Sequence, residues 1–124
     1  MPTETPPSAE DVVRRQLDAY NARDIDVFMT VWADDARYYL FPSTLLASGA
    51  PAIRARHVER FKEPNLFGRL LSRVAVDNIV VDHESVTRSF PDGPGTVEVI
   101  AIYEVVEGKI VNAWFKQGQP VLDT

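Results

Sequence analysis

No cysteine occurs in the 124 residues, which removes disulfides, thiol nucleophiles and zinc–thiolate sites together. No apolar run approaches the ~20 residues needed to span a bilayer, so no membrane partner is expected. Positive charge is in deficit: 13 Lys and Arg against 18 Asp and Glu leave a formal charge of −5. That balance argues against nucleic acid or an anionic membrane as the main partner. Gly-rich phosphate loops, a Ser-His-Asp order and metal-ligand spacing are missing too, and neither a cofactor nor a metal is expected. The opening "MPTETPPSAED" is acidic and proline-rich, unlike a signal or transit peptide. A reducing, cytoplasmic home fits a chain without cysteine.

What is present suits one soluble domain: 45% hydrophobic and 25% charged residues at a length that buries roughly two-thirds of the unfolded surface. Residues 1–7 read as a loose arm, 8–119 as the domain and 120–124 as a tail. Ser8 caps a first helix with Glu10 and Asp11 in its first turn. Val12, Val13, Leu17 and Tyr20 then share one face, with Gln16 as the odd polar residue on that stripe. "NARD" at 21–24 breaks this helix, and Asp24 caps a second with Ile25, Phe28, Met29 and Trp32 inward. "ADDA" closes it, and "RYYLFP" is a short strand ended by Pro42. After a loop, Pro51 opens a third helix that stacks Ala50, Ile53, His57 and Phe61, and Pro64 stops it. The remainder is β-branched: 70–76, 79–90, 96–106 and 109–117, separated by "DN", "PDGPG" and "EG". The expected class is α+β, three helices packed in a strongly curved antiparallel sheet.

"YNARDIDVFMTVWADDA", "SGAPAIRARH" and "YEVVEGKIVNAWF" in this order resemble the nuclear transport factor 2-like superfamily, in its SnoaL-like and ketosteroid isomerase-like branch. The resemblance covers about residues 9–118. It implies a cone-shaped α+β barrel, open at one end into an apolar cavity, and a dimer through the outer sheet face. It also implies positions for the isomerase groups, an Asp base and a Tyr with a protonated Asp that bind the oxyanion. Those positions hold Leu40, Gln16 and Ala101. A base contributes about 10²–10⁴ in rate and an oxyanion donor about 10²–10³, so ketosteroid isomerisation by that set is not expected. By the same resemblance, Tyr38 and Leu40 look into the cavity.

His57 is the leading candidate, because its stripe-mates point inward and the matching isomerase position is a pocket tyrosine. A neutral imidazole there donates a hydrogen bond or takes a proton near neutral pH; the bland alternative is a histidine satisfied by core partners. Gln16 either orients a ligand or bonds loop backbone. Trp32, Tyr38, Tyr103 and Phe115 are pocket walls or simply core, and Gln117 sits near the mouth or at a solvated strand end. In "VDHESVTR" (81–88), strand alternation puts Asp82 and Glu84 on one face and His83 on the other, so the three cannot hold one ion. With "PDGPG" as a five-residue loop, Arg88 faces Glu98 and His83 faces Tyr103. That register sends His83, Ser85 and Thr87 to the cavity and makes Val86, Ile100 and Ile102 an outer apolar patch for a homodimer. A one-residue slip reverses every assignment.

The expectation is therefore a pocket for a small lipophilic molecule, with His57, Tyr38 and Gln16 as the catalytic set. Trp32, Leu40, His83, Ala101, Tyr103, Phe115 and Gln117 line it. The chemistry expected is acid–base work of isomerase, cyclase or hydrolase type on a carbonyl compound. The alternative is a non-catalytic binding or dimerisation domain.

Overall fold

A computed structural model describes residues 7–123, so the expected arm at 1–7 lies almost wholly outside the described residues. Helix α1 (Ala9–Ala22) begins where the Ser8 side chain accepts the Asp11 N–H, and ends at Arg23 in the left-handed region. Arg23 also donates to the carbonyls of Pro64 (2.9 Å) and Leu66 (3.2 Å), tying the end of α1 to the chain that follows the third helix. Asp24 caps α2 (Ile25–Met29), which is shorter than its apolar spacing suggests. Strand β1 (Trp32–Leu40) takes over at once, so Trp32 lies on a strand rather than on the helical face expected for it. The anticipated loop after Pro42 holds strand β2 (Thr44–Ser48). Pro51 sits in the first turn of α3 (Ala50–Arg60), whose buried residues are Ile53 and His57.

Strands β3 (Phe67–Val76), β4 (Ile79–Phe90), β5 (Gly93–Val106) and β6 (Lys109–Gln117) complete the sheet. The spatial order is β2-β1-β6-β5-β4-β3. All of these pairings are antiparallel except β1 with β6, which is parallel. The sheet is strongly curved and does not close; the helices fill its concave side. Asn21 locks α1 to β3 by exchanging two hydrogen bonds with the backbone of Gly68, at 2.9 and 2.7 Å. Glu107 and Gly108 both adopt positive φ (51° and 78°), the conformation a tight hairpin requires. The tail expected at 120–124 contains a short strand β7 (Val121–Leu122) that pairs with Gly95 and Thr96. Gly95 permits this, because a Cβ there would overlap the Val121 carbonyl.

One register differs from expectation, and it reassigns the sheet's faces. Phe90 pairs with Gly93 and Ser89 with Pro94, so the turn uses only Pro91 and Asp92 rather than all of "PDGPG". Gly93 supplies the φ of 134°, and Pro94 stays in the strand because its carbonyl accepts Asp123 N–H at 2.9 Å. Pairing moves by three residues, an odd number, and every side chain of β4 changes face. Asp82, Glu84 and Val86 are buried. His83 points outward instead, 2.5 Å from Glu98 on the exposed face, so it does not line the concave cavity. Val86 is not part of an outer patch, whereas Ile100 and Ile102 stay on the outer face. No helix among the described residues is long and apolar enough to cross a membrane.

Candidate active site

The concave side holds a narrow cavity between α1, α3 and strands β1 and β4 to β6. Gln16, Tyr38, His57, Tyr103, Phe115 and Gln117 line it. Three expected residues do not. Leu40 is 41% exposed at the end of β1. Ala101 is buried beneath the wall. Trp32 packs between Phe28 and Tyr38 (ring centroids 5.8 and 6.0 Å) and borders a separate, open recess with Met29 and Arg54. The lining is also less apolar than anticipated. Val86, Val97, Val99 and Phe115 form one wall, while Glu84, Arg60, Arg88 and Tyr20 add polar groups absent from the sequence reading. About 50 Å³ is open to the centre of a water molecule. That is enough to admit water and well under the ~300 Å³ of an ordinary ligand pocket.

Among these polar groups Glu84 is the most unusual. It is 6% exposed, and it makes no hydrogen bond or ion pair with any described residue. Burial, then the charge of Asp82, push its carboxyl up to about 7, against a smaller opposing pull from Arg73. The backbone of β3 gives it space: a Cβ on Gly68 would lie 3.2 Å from Glu84 Oε1 and 3.1 Å from Leu17 Cδ1. Asp82, fully buried two residues away, is instead held by Arg73 through two bonds of 2.6 and 2.9 Å. The two neighbouring acids therefore have different tasks, one paired and one open to the cavity.

His57 is 2% exposed and sits among rings, with Phe28 at 4.5 Å and Tyr38 at 5.5 Å between centroids. Its Nδ1 lies 2.8 Å from the Ile53 carbonyl. A carbonyl only accepts, so Nδ1 carries the proton and Nε2 keeps the lone pair. Burial, aided by the charges of Arg60 and Arg56, lowers the imidazole to about 4 against the effect of the Ile53 bond. Tyr103 donates a long bond (3.4 Å) to Gln16 Oε1, which fixes the Gln16 amide with its N–H groups free to turn to the cavity. Burial raises Tyr103 well above the usual phenol range, so its hydroxyl stays a donor. Among the described residues no cluster of acids and histidines suits a metal ion.

These two shifts act on stability with opposite sign. Glu84 lies above its ordinary 4.5, so its contribution is complete below pH 4.5 and fades as pH rises towards 7. His57 lies below its ordinary 6.5, so its contribution is complete above pH 6.5 and fades as pH falls towards 4. Each amounts to about 3 kcal/mol across its window. The two offset one another in the wild type. Glu84→Gln is expected to gain stability as pH rises from 4 to 6.5, and His57→Gln to lose it from 4.5 to 7, read as urea midpoints across pH. Parallel curves for both variants would contradict the assignment.

The solved structures agree with this architecture. An uncharacterised cystatin-fold protein from Novosphingobium aromaticivorans has a TM-score of 0.81 at 23% identity, over 88% of this chain and 97% of its own. An LEH-like epoxide hydrolase from M. tuberculosis has a TM-score of 0.78 at 15% identity, over 89% of this chain and 82% of its own. A proposed ketosteroid isomerase from Kribbella flavida has a TM-score of 0.76 at 17% identity, over 94% and 82% respectively. At such identities the likeness is one of fold. No curated protein matches the chain in sequence. Family membership rests on the sequence itself: residues 13–113 match the SnoaL-like domain, and the chain belongs to that family.

Proposed function

We propose that the cavity is an active site for proton transfer on a small carbonyl compound, with Glu84 as the group that exchanges the proton. The carrying observation is a buried carboxyl, open to the cavity and shifted to about 7, the range in which one side chain both takes and returns a proton at neutral pH. As carboxylate, Glu84 removes a proton from the carbon beside the carbonyl. The electron pair moves to the carbonyl oxygen, and the resulting enolate accepts hydrogen bonds from Gln16 and Tyr38. Glu84 then returns the proton to carbon, at the same or a conjugated position. In this scheme His57 acts as a neutral hydrogen-bond acceptor through Nε2, since a group near 4 is a weak base at pH 7. The same carboxylate would activate water for hydrolysis, the reaction type in the name of the M. tuberculosis neighbour. The test is α-hydrogen exchange of cyclohexanone, 2-hexanone and the keto acid levulinate in D₂O, followed by proton NMR with wild type and Glu84→Gln. Exchange by the wild type and its loss in the variant support the scheme; equal rates refute it.

The small volume favours a second reading, a binding or dimerisation domain without catalysis. Native mass spectrometry of fresh protein would then show a bare oligomer or an unaltered ligand. A homodimer belongs to both readings. An apolar row crosses the outer face through registered neighbours: Leu45, Tyr39, Trp114, Ile102, Val81 and Val74. Val74 is 62% and Leu45 50% exposed, more apolar surface than scattered single residues account for. Ile102→Lys is expected to convert a dimer to a monomer in light scattering while leaving the α-hydrogen exchange site folded. An unchanged mass would place the interface elsewhere.

A further inference from the structure

The rim of the cavity is positive on a protein that is negative overall. Arg60 and Arg88 both line it, and their side chains are only 15% and 19% exposed. They share one oxygen of one acid: Glu63 Oε2 lies 2.8 Å from Arg88 Nη2 and 3.7 Å from Arg60 Nε. Glu63 Oε1 is already taken by Ser89 N–H (3.0 Å) and Arg88 Nε (3.3 Å). Two guanidinium charges against one carboxylate leave one positive charge in a partly dehydrated rim. Arg56 lies outside this lining, its guanidinium 5.1 Å from the Tyr38 ring centre and its Nε buried without a partner among the described residues. Among the described residues the lining offers no carboxylate to this charge except Glu84, four residues before Arg88 on β4 and without a hydrogen-bond partner.

We propose that the molecule acted on carries a single carboxylate, seated on Arg60 and Arg88 with its carbonyl end directed at Glu84. This rests on the reading of the cavity as an active site. Charge sets the class: the one uncompensated positive charge of this lining matches a monoanion, whereas a phosphate dianion would bring a second negative charge with no partner. Guanidinium groups also suit the planar, two-oxygen head of a carboxylate better than a point charge does. The cavity size restricts the remainder to a short chain, as in a small keto acid.

Levulinate and its neutral counterpart 2-hexanone separate the possibilities, with inorganic phosphate as a third probe. Binding is read by ligand-observed NMR and calorimetry on wild type, Arg88→Lys, Arg88→Gln, Arg60→Lys and Glu84→Gln, each checked for folding by circular dichroism. Levulinate is expected to bind wild type at least about tenfold tighter than 2-hexanone. The preference should disappear in Arg88→Gln, survive in part in the lysine variants, and weaken with salt. Equal binding of levulinate and 2-hexanone, no binding of levulinate, or tighter binding of phosphate would each overturn the proposal. Glu84→Gln keeps the two ideas apart: it is expected to retain the carboxylate preference while losing hydrogen exchange. In the wild type, hydrogen exchange that depends on Glu84 together with no preference for levulinate would sink the rim assignment alone.

Discussion

Glu84→Gln is expected to lower α-hydrogen exchange by about 10²–10⁴-fold, the contribution of a positioned general base. The substitution keeps the shape of the side chain and removes only its ability to carry a proton. Its wild-type rate should follow a sigmoid in pH with a midpoint near 7, because that is where burial and the neighbouring Asp82 hold the carboxyl. His57→Gln provides the contrast. It removes an imidazole that stays neutral above about pH 4, so the pH midpoint should stay in place even if the rate falls through altered packing. A midpoint that moves with His57 and ignores Glu84 would return the proton-exchanging role to the imidazole.

Asp82→Ala is expected to destabilise the fold by about 3 kcal/mol, the lower end of the cost of stranding one partner of a buried pair. The lower end applies because the Arg73 side chain keeps 15% of its surface exposed, whereas Asp82 has none. Replacing both members, as Arg73→Leu with Asp82→Leu, should restore much of that loss, since no charge is then left without its partner. Urea unfolding of the two variants and the double variant gives the comparison. Asp82→Asn also acts on the cavity. It removes the charge that raises Glu84 and frees Arg73, which lowers it, so the Glu84 titration should move down. An Asp82→Ala protein as stable as wild type would mean that water or another group already satisfies Arg73.

Much of the architecture was legible because local signals and burial agree. Ser8 and Asp24 cap the helices they were expected to cap, and the Ile53–His57 spacing put the imidazole on the buried face of α3. The ends of β4 and β6 follow their turn residues. Legibility failed where one local choice controls a distant face. The apolar spacing from Ile25 to Trp32 fits a helix, yet the chain leaves α2 after Met29 because Trp32 pairs with Ile110 of β6. A pairing 78 positions along the chain overrides the local pattern. β7 was unreadable for a similar reason, as it exists only where Gly95 lets the backbone approach.

The most consequential miss is Glu84, because one turn decides its side. In "VDHESV" both alternating sets contain valine, Val81 in one and Val86 in the other, so hydrophobicity does not choose between faces. Only the length of the turn does, and "PDGPG" allows either a five-residue or a two-residue connection. The two-residue turn sends His83 to solvent and Glu84 to the interior. A charged residue placed between Val80 and Val86 on the same parity was the available clue, and its meaning depended on that pairing.

The decisive measurement is the titration of the Glu84 side-chain carboxyl carbon by NMR, in protein labelled at glutamate, with Glu84→Gln to assign the signal. A midpoint near 7, falling in Asp82→Asn, is the predicted result. A midpoint in the ordinary range near 4.5 would show a solvated carboxylate with no hold on a proton at neutral pH, and the proposed chemistry would lose its proton carrier.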